Sequence, residues 1–207
     1  GTDEGTTKRL NEYSMGYQGD PEWMGYESTA IISSRNGLIR AETGVELPER
    51  LKPAIPDDRN RLMIVDEKLY RVSESDSYME PVSPFDDPEA KILNLVHSPD
   101  GKFVAFERYG EGLYLMNSNG DNLRFLGKAY RPSWSPDSRY LVAMETQDNG
   151  YTFTAAELVV FGTDSLSRVE ITTKTDLITL NPSWSPYGDS ILFNDPETGH
   201  VYLLPLR

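Results

Sequence analysis

The stretch Arg131–Ala143 reads RPSWSPDSRYLVA, and Asn181–Phe193 later reads NPSWSPYGDSILF. A third copy, NLVHSPDGKFVAF, occupies 94–106, and a weaker one, PAIPDDRNRLMIV, occupies 53–65. A further copy begins at Trp23, where WMGYESTAIIS lacks the turn motif. Recurrence of one motif at intervals of roughly 40 residues is the sequence pattern of a repeat architecture.

Each copy predicts a strand, a tight turn and a second strand. The residue before a proline is restricted to extended geometry, so we expect Ser98, Ser135 and Ser185 each to end a strand. The proline then sets the first corner of a turn that Gly or Ser closes. The segments that follow, such as KFVAF and RYLVAM, are apolar at consecutive positions. That pattern indicates strands covered on both faces.

Further strands complete each repeat unit. Third strands are predicted at 37–41, 68–72, 113–117, 156–162 and 201–206, and fourth strands at 122–127 and 167–173. Short strands in like-built units predict an all-β fold, a β-propeller of four-stranded antiparallel blades, with five blades by length. We expect one domain over 1–207, with blades at about 20–52, 53–92, 93–129, 130–179 and 180–207, the last completed by an N-terminal strand.

The last unit supplies only three strands, and an unpaired sheet edge promotes aggregation. We therefore expect the N-terminal stretch before residue 34 to pair with VYLLPL (201–206) and close the ring. Two segments could do this, TAIISS (29–34) and RLNEYSMGY (9–17). The sequence does not choose between them.

The motifs PSWSPDS, PSWSPYG and HSPDG resemble the WD40-like Pro-Asp repeats of TolB-type proteins. The match is strong over 94–144 and 181–204 and weaker over 53–72. The resemblance implies a β-propeller that acts as a protein-binding scaffold in the periplasm, the cell envelope or the secreted fraction. TolB-type proteins carry six blades and a separate N-terminal α/β domain, whereas the length of this chain accommodates five blades.

Charge and composition narrow the classes of partner. The formal net charge is −13 with a pI near 4.6, which argues against nucleic acid and against anionic membrane surfaces. The chain has no cysteine, which excludes disulfides and thiol chemistry. No apolar run approaches the length of a membrane-spanning helix. A protein or peptide partner, especially a cationic one, and a carbohydrate remain suitable.

The two ends of each blade differ in sequence. Turns between first and second strands, here the Ser-Pro corners, lie at one end, which we name the corner end. Turns between second and third strands lie at the other, the loop end, together with the crossings between blades. The predicted second-to-third loops, at 33–37, 66–68, 107–112, 145–154 and 194–200, vary in length and composition. Variable loops on a rigid frame often carry function, so we expect partners at the loop end.

The loop end combines acidic and aromatic residues. The candidate partner-binding residues are Glu107, Tyr109, Glu145, Asp148, Tyr151, Phe153, Asp195 and His200. Further acidic residues there are Asp66, Glu67, Glu111 and Glu197, against Arg35, Lys68 and Arg108. The longest loop, 145–154, either contacts a partner or a sugar or folds down into the central channel.

Other noticeable residues fit structural roles. Trp134, Trp184 and His97 occupy one position of the repeat and are expected to pack between blades. Asp100 and Asp137 are expected to accept backbone hydrogen bonds within their own turns. His200, beside Asp195 and Glu197, is a weaker metal or acid–base candidate.

The chain contains neither a Gly-x-Ser-x-Gly nucleophile motif nor a glycine-rich phosphate loop. We therefore predict no catalytic residue, cofactor or metal ion, and a non-catalytic scaffold that binds a protein or peptide at the loop end. The alternative is a carbohydrate-binding or glycoside-cleaving propeller that uses acidic and aromatic residues of the same face. A third hypothesis makes the chain one half of a larger assembly.

Overall fold

The computed structural model describes residues 8–9, 22–23, 29–34, 37–42, 61–73, 78–165 and 167–206. These residues form strands and turns, and none of them lies in a helix that could cross a membrane. The strands assemble into five antiparallel sheets, as the all-β prediction requires. The predicted turn at 56–58 lies outside the described residues.

The first strand, β1 (Lys8–Arg9), belongs to the last sheet. The first sheet contains β2 (Glu22–Trp23), β3 (Thr29–Ser34) and β4 (Gly37–Glu42), and the second contains β5 (Arg61–Val65), β6 (Lys68–Ser73) and β7 (Tyr78–Val82). The third contains β8 (Ile92–His97), β9 (Phe103–Arg108), β10 (Gly112–Asn117) and β11 (Arg124–Gly127). The fourth contains β12 (Ala129–Trp134), β13 (Tyr140–Asp148), β14 (Phe153–Gly162) and β15 (Arg168–Glu170). The fifth contains β16 (Leu180–Trp184), β17 (Ser190–Asp195) and β18 (His200–Pro205), with β1 as its outermost strand.

The Ser-Pro corners hold β8 to β9 and β12 to β13 by the same hydrogen bonds. In the fourth sheet the Ser135 hydroxyl donates to Asp137 Oδ1 at 2.6 Å and accepts from the Tyr140 N–H at 2.9 Å. Asp137 also accepts from the Arg139 N–H at 3.1 Å. The corner of the third sheet repeats all three bonds with Ser98 and Asp100. The turn role predicted for both aspartates is confirmed.

Both faces of β9 and β13 are covered, as their consecutive apolar residues predicted, whereas Met63 of β5 is 49% exposed. On β13, Leu141 packs towards the third sheet, while the next residue, Val142, packs towards the fifth. On β9, Ala105 packs towards the fourth sheet, whereas Val104 and Phe106 pack towards the second. The second to fifth sheets are therefore joined in chain order by continuous apolar layers.

The tryptophan positions of the repeat also confirm packing between sheets. Trp134 stacks on Phe103 of the third sheet with ring centroids 6.3 Å apart, and its Nε1–H donates to the Val96 carbonyl at 3.2 Å. Trp184 stacks on Tyr140 of the fourth sheet at 6.3 Å. His97 is half-buried, and its Nε2 lies 2.8 Å from the Leu62 carbonyl of the second sheet.

Strand register supports the copy that begins at Trp23. Trp134 pairs with Leu141, and Trp184 pairs with Ile191, across the first and second strands of their sheets. Trp23 pairs with Ala30 at the same separation along the chain, although no Ser-Pro motif lies between them. The pairing of β2 with β3 therefore has the same register as the first and second strands of the later repeats, although the sequence lacks the Ser-Pro motif.

The last sheet takes its outermost strand from the N-terminal stretch. Lys8 pairs with Leu203 and Arg9 with Tyr202, so the first residue of the candidate segment 9–17 takes part in the pairing, and the rest of that segment lies outside the described residues. The other candidate, TAIISS, is wrong for this role. It forms β3, which lies between β2 and β4 in the first sheet, so its backbone already has a partner on both sides.

Candidate functional site

The loop end is assembled from turns and crossing segments that bond to one another. The Ile92 N–H donates to the Glu67 carbonyl at 2.8 Å, and the Tyr109 N–H donates to the Lys91 carbonyl at 2.9 Å. The Lys91 ammonium lies 2.6 Å from the Glu67 carboxylate, whose hydrogen bond and charge raise the pKa of Lys91. The turns after β5 and β9 thus meet the segment that crosses from β7 to β8, as expected for one end of neighbouring sheets.

The loops of this end are shorter than the sequence predicted. The strand pair β13–β14 continues to Asp148 and Phe153, so only 149–152 turn outside the pairing. Likewise β9 extends to Arg108 and β17 to Asp195, past the predicted loop starts at 107 and 194. Main-chain pairing continues because an antiparallel ladder satisfies the backbone amides that an irregular loop would leave to water.

Two of the predicted acidic residues are buried. Glu107 is 6% exposed, and its Oε1 accepts from Asn94 Nδ2 at 2.8 Å and from the Arg131 N–H at 2.6 Å. Arg131 has a positive φ of 56° at a register shift of β12, so this carboxylate satisfies the amide of an irregular strand. Asp195 is 2% exposed and accepts from the hydroxyl and N–H of Thr198. Both carboxylates are engaged inside the protein.

Two other predicted acidic residues lie at the base and tip of the β13–β14 ribbon. Glu145 accepts two hydrogen bonds from Arg168 of β15, at 2.7 and 3.2 Å. This bidentate pair is exposed, so it contributes little to stability. Asp148 accepts from the Gly150 N–H at 2.9 Å, which shapes the turn, and its side chain is exposed.

The three predicted aromatic residues of the site are exposed. Tyr151 is 97% exposed at the tip of the ribbon, and Tyr109 is 71% exposed in the turn after β9. Phe153 is 41% exposed at the start of β14. Tyr151 therefore covers almost none of the described surface, which does not support the alternative in which this segment folds into a channel.

His200 lies at the start of β18, opposite Asp195 in the ladder. Its ring packs edge-on to Tyr202, with centroids 6.3 Å apart, and its buried Nδ1 has no hydrogen-bond partner among the described residues. In that part of the chain, no three His, Asp or Glu side chains are grouped to hold a metal ion. His200 therefore stays a candidate contact residue.

The sequence reasoning missed the contribution of the crossing segment 83–91. Phe85 of this segment packs edge-on to Tyr114 at 4.9 Å and lies under the guanidinium of Arg108 at 4.6 Å. Arg108 in turn pairs with Asp87 at 2.8 Å. The prolines at 84 and 88 were the available signal, since each fixes φ and restricts the backbone of the segment.

Comparison with known proteins identifies the fold class. The fold is similar to that of a puromycin-hydrolyzing peptidase from Mycobacterium tuberculosis, with a TM-score of 0.53 and 14% identity over 94% of this chain and 38% of that one. It is also similar to the tricorn protease, with a TM-score of 0.50 and 11% identity over 93% of this chain and 20% of that one. Both carry β-propeller domains, so the protein has a β-propeller-like all-β fold.

An oligogalacturonate lyase in complex with manganese matches at a TM-score of 0.43 and 14% identity, over 68% of this chain and 54% of that one. The chain thus spans about a fifth to a half of the length of these three proteins. No protein-family model and no curated protein matches the chain. The likeness to the two peptidases shows the fold alone, and the likeness to the lyase carries no argument.

Proposed function

We propose that the five sheets are the five blades of one propeller ring, with the blade boundaries that the repeats predict. The second to fifth sheets pack on one another in chain order, and β1 completes the fifth sheet from the other end of the chain. An outermost strand taken from the opposite terminus closes a ring without an unpaired edge. This pairing is the observation that supports closure.

We propose further that the protein is a non-catalytic, TolB-like scaffold that binds a protein or peptide through its loop end. The observation that carries this function is the exposure of Tyr109 and Tyr151 on turns whose backbones are fixed by hydrogen bonds. Tyrosine has few rotatable side-chain bonds, so an exposed tyrosine on a fixed backbone supplies contact area at low conformational cost, and tyrosine is enriched at protein interfaces.

The charge of the protein favours a cationic partner. With a formal net charge of −13, the surface attracts Lys- and Arg-bearing chains over long distances. We place the surface around Tyr109, Asp148, Tyr151 and Phe153, and we leave out Glu107 and Asp195 because their oxygens are engaged inside the protein. The resemblance to TolB-type repeats supports a periplasmic, cell-envelope or secreted location.

Site-specific photo-cross-linking tests this function. A benzophenone amino acid is incorporated at position 151, at position 109, or at the control position Val169, which is 55% exposed on the outer strand β15. Each variant is irradiated in extracts of the source organism, and the cross-linked proteins are identified by mass spectrometry. We expect one protein to be captured from positions 151 and 109 and not from position 169.

Capture of different proteins at 151 and 109, or equal capture at 169, would contradict the proposed surface. A glycan array probes the carbohydrate alternative with the same protein. Sugar binding that is lost in Tyr151→Ala, with no specific cross-linked protein, would replace the scaffold function by a carbohydrate-binding one.

A further inference from the structure

A cavity opens at the loop end, where the crossing segment 83–91 passes over the second sheet. Its volume is about 110 Å³. Its most buried lining residues, Leu69 and Ile92, are 1% and 3% exposed, whereas its lining residues Ser83 and Asp87 are exposed. The cavity is thus open to solvent, lined mainly by apolar residues, and bordered by polar residues on the face of the proposed function.

The walls of the cavity are held in place by contacts that do not depend on a ligand. Phe85 is fixed between the ring of Tyr114 and the guanidinium of Arg108. The Lys68 ammonium donates to the carbonyl of Pro88 and, at 2.9 Å, to that of Ala90. These bonds tie the crossing segment to β6, so a ligand would meet a preformed site and lose little affinity to ordering.

The volume selects the size of the ligand. A cavity of about 150 Å³ lined by Leu, Ile and Phe stays dry and binds benzene, and typical small-molecule sites are about 300–1,000 Å³. A hole of about 110 Å³ fits one aliphatic side chain and excludes a cofactor or a drug-sized molecule. An apolar side chain that projects from a polypeptide has the required dimensions.

The surroundings of the mouth select the charge of the ligand. Exposed Asp86 and Glu89 adjoin lining residues of the cavity in the chain. The neighbouring cations are already engaged, since Arg108 pairs with Asp87 and Lys91 pairs with Glu67. Lys68 also lines the cavity, and its ammonium is bonded to carbonyls, so it leaves one positive charge against the two exposed carboxylates. The formal charge of the mouth is therefore negative, and it matches a side chain flanked by Lys or Arg.

Resting on the proposed function, we propose that this cavity receives a single aliphatic side chain of the partner, from a segment that carries Lys or Arg next to it. The cavity would act as the anchor pocket of the interface, and the exposed aromatic residues of the loop end would provide the surrounding contacts. Buried anchors at the centre of an interface carry most of its binding energy.

Methyl NMR of the intact protein tests this proposal with defined probes. The capped pentapeptides Arg-Gly-Leu-Gly-Arg, Arg-Gly-Ala-Gly-Arg and Glu-Gly-Leu-Gly-Glu are titrated while the methyl shifts of Leu69 and Ile92 are followed. Burial of a leucine side chain predicts that the Ala peptide binds at least about tenfold more weakly than the Leu peptide. The Glu peptide is expected to bind more weakly as well, by a factor that shrinks with added salt.

A matched pair of variants locates the binding. Ser83→Trp places an indole at the mouth and should abolish the methyl shifts, whereas Ser165→Trp, in the exposed turn after β14, should leave them unchanged. Equal affinity for the Leu and Ala peptides, equal affinity for the Arg and Glu peptides, or unaltered binding by Ser83→Trp would each overturn the proposal. The peptide comparison on the unmodified protein holds even if a variant fails to fold.

The outcomes also separate this inference from the function on which it rests. Specific cross-linking at positions 109 and 151 without peptide discrimination at the cavity would reject the anchor pocket alone. Selective peptide binding at the cavity without specific cross-linking at those positions would reject the aromatic surface and keep the pocket.

Discussion

The chain reverses direction at both the corner end and the loop end of the sheets, but different hydrogen bonds close the turns at the two ends. At the corner end, Ser98 and Ser135 are buried, and each hydroxyl both donates and accepts within its turn. At the loop end, the turns after β9 and β13 are closed mainly by backbone and Asx-type bonds, and they expose Tyr109 and Tyr151. A repeated, buried turn stabilises the frame, whereas a variable, exposed turn is available to a partner.

The same contrast appears in the acidic residues. Asp100 and Asp137 at the corners bond to backbone amides of their own turns. At the loop end Glu107 crosses between sheets to the amide of Arg131, and Asp148 stays exposed. Charge alone therefore does not identify a binding residue in this protein, since the geometry of the nearest amide decides whether a carboxylate is used internally.

The largest effect is expected from the packing between sheets. Trp134→Ala removes a ring that stacks on Phe103 and donates to the Val96 carbonyl, and it leaves a cavity between the third and fourth sheets. We expect a loss of about 3–5 kcal/mol in the free energy of unfolding, measured by urea titration. The matched aromatic control at the loop end, Tyr151→Ala, should stay within about 0.5 kcal/mol of the unmodified protein. Equal losses of unfolding free energy for Trp134→Ala and Tyr151→Ala would contradict the view that the packing between sheets stabilises the fold and the loop-end turn does not.

A smaller effect is expected at the corner itself. Ser135→Ala leaves the N–H of Tyr140 without its hydroxyl acceptor and deprives Asp137 of a donor, which should cost about 1–3 kcal/mol of unfolding free energy. The corner of the fifth sheet sharpens the comparison, because Tyr187 replaces the aspartate there. Ser185→Ala should therefore cost less than Ser135→Ala. A larger cost for Ser185→Ala would show that the aspartate is not part of the corner's stability.

The smallest effect concerns the pH dependence of folding stability, and it comes from His97, which takes the place of tryptophan in its copy of the repeat. Burial lowers the pKa of His97 from 6.5, the hydrogen bond with the Leu62 carbonyl opposes this shift, and the charge of Arg61 adds to it. The unfolded chain then binds the proton more readily than the folded protein. Stability linked to His97 is complete above the unfolded pKa and declines as the pH falls below it.

Thermal unfolding at about pH 7.5 and about pH 5.5 measures this linkage. On going from the higher to the lower pH, the melting temperature of the unmodified protein should fall further than that of His97→Gln, because glutamine cannot bind the proton. The difference between the two losses isolates His97, since the other titrating groups are common to both proteins. An equal loss in both would show that the half-buried ring is protonated without cost to the fold.

Local patterns in the sequence predicted much of the frame. The Ser-Pro motifs predicted the corners, the consecutive apolar residues of 103–106 and 140–144 predicted strands covered on both faces, and the repeat predicted the packing of Trp134 and Trp184. These succeed because each depends on neighbours in the chain or on a period that repeats along it. The aromatic exposure at Tyr109 and Tyr151 also agrees with loop positions inferred from the repeat alone.

Contacts between distant segments could not be predicted in the same way. TAIISS is a stronger strand pattern than Lys8 and Arg9, yet the latter pair with β18, because TAIISS is already paired on both sides. Burial of Glu107 depends on the amide of Arg131 in the next sheet. Neither the pairing of β1 with β18 nor the burial of Glu107 can be predicted from a short stretch of sequence.

The sequence by itself determined the repeating units, their strands and their corner turns, because proline geometry and apolar periodicity act over a few residues. Only the tertiary structure decided which N-terminal segment completes the last sheet, which carboxylates are buried, and where the crossing segment leaves a cavity. Those features depend on the register and spacing of whole sheets, and hence on the summed packing of residues far apart in the chain.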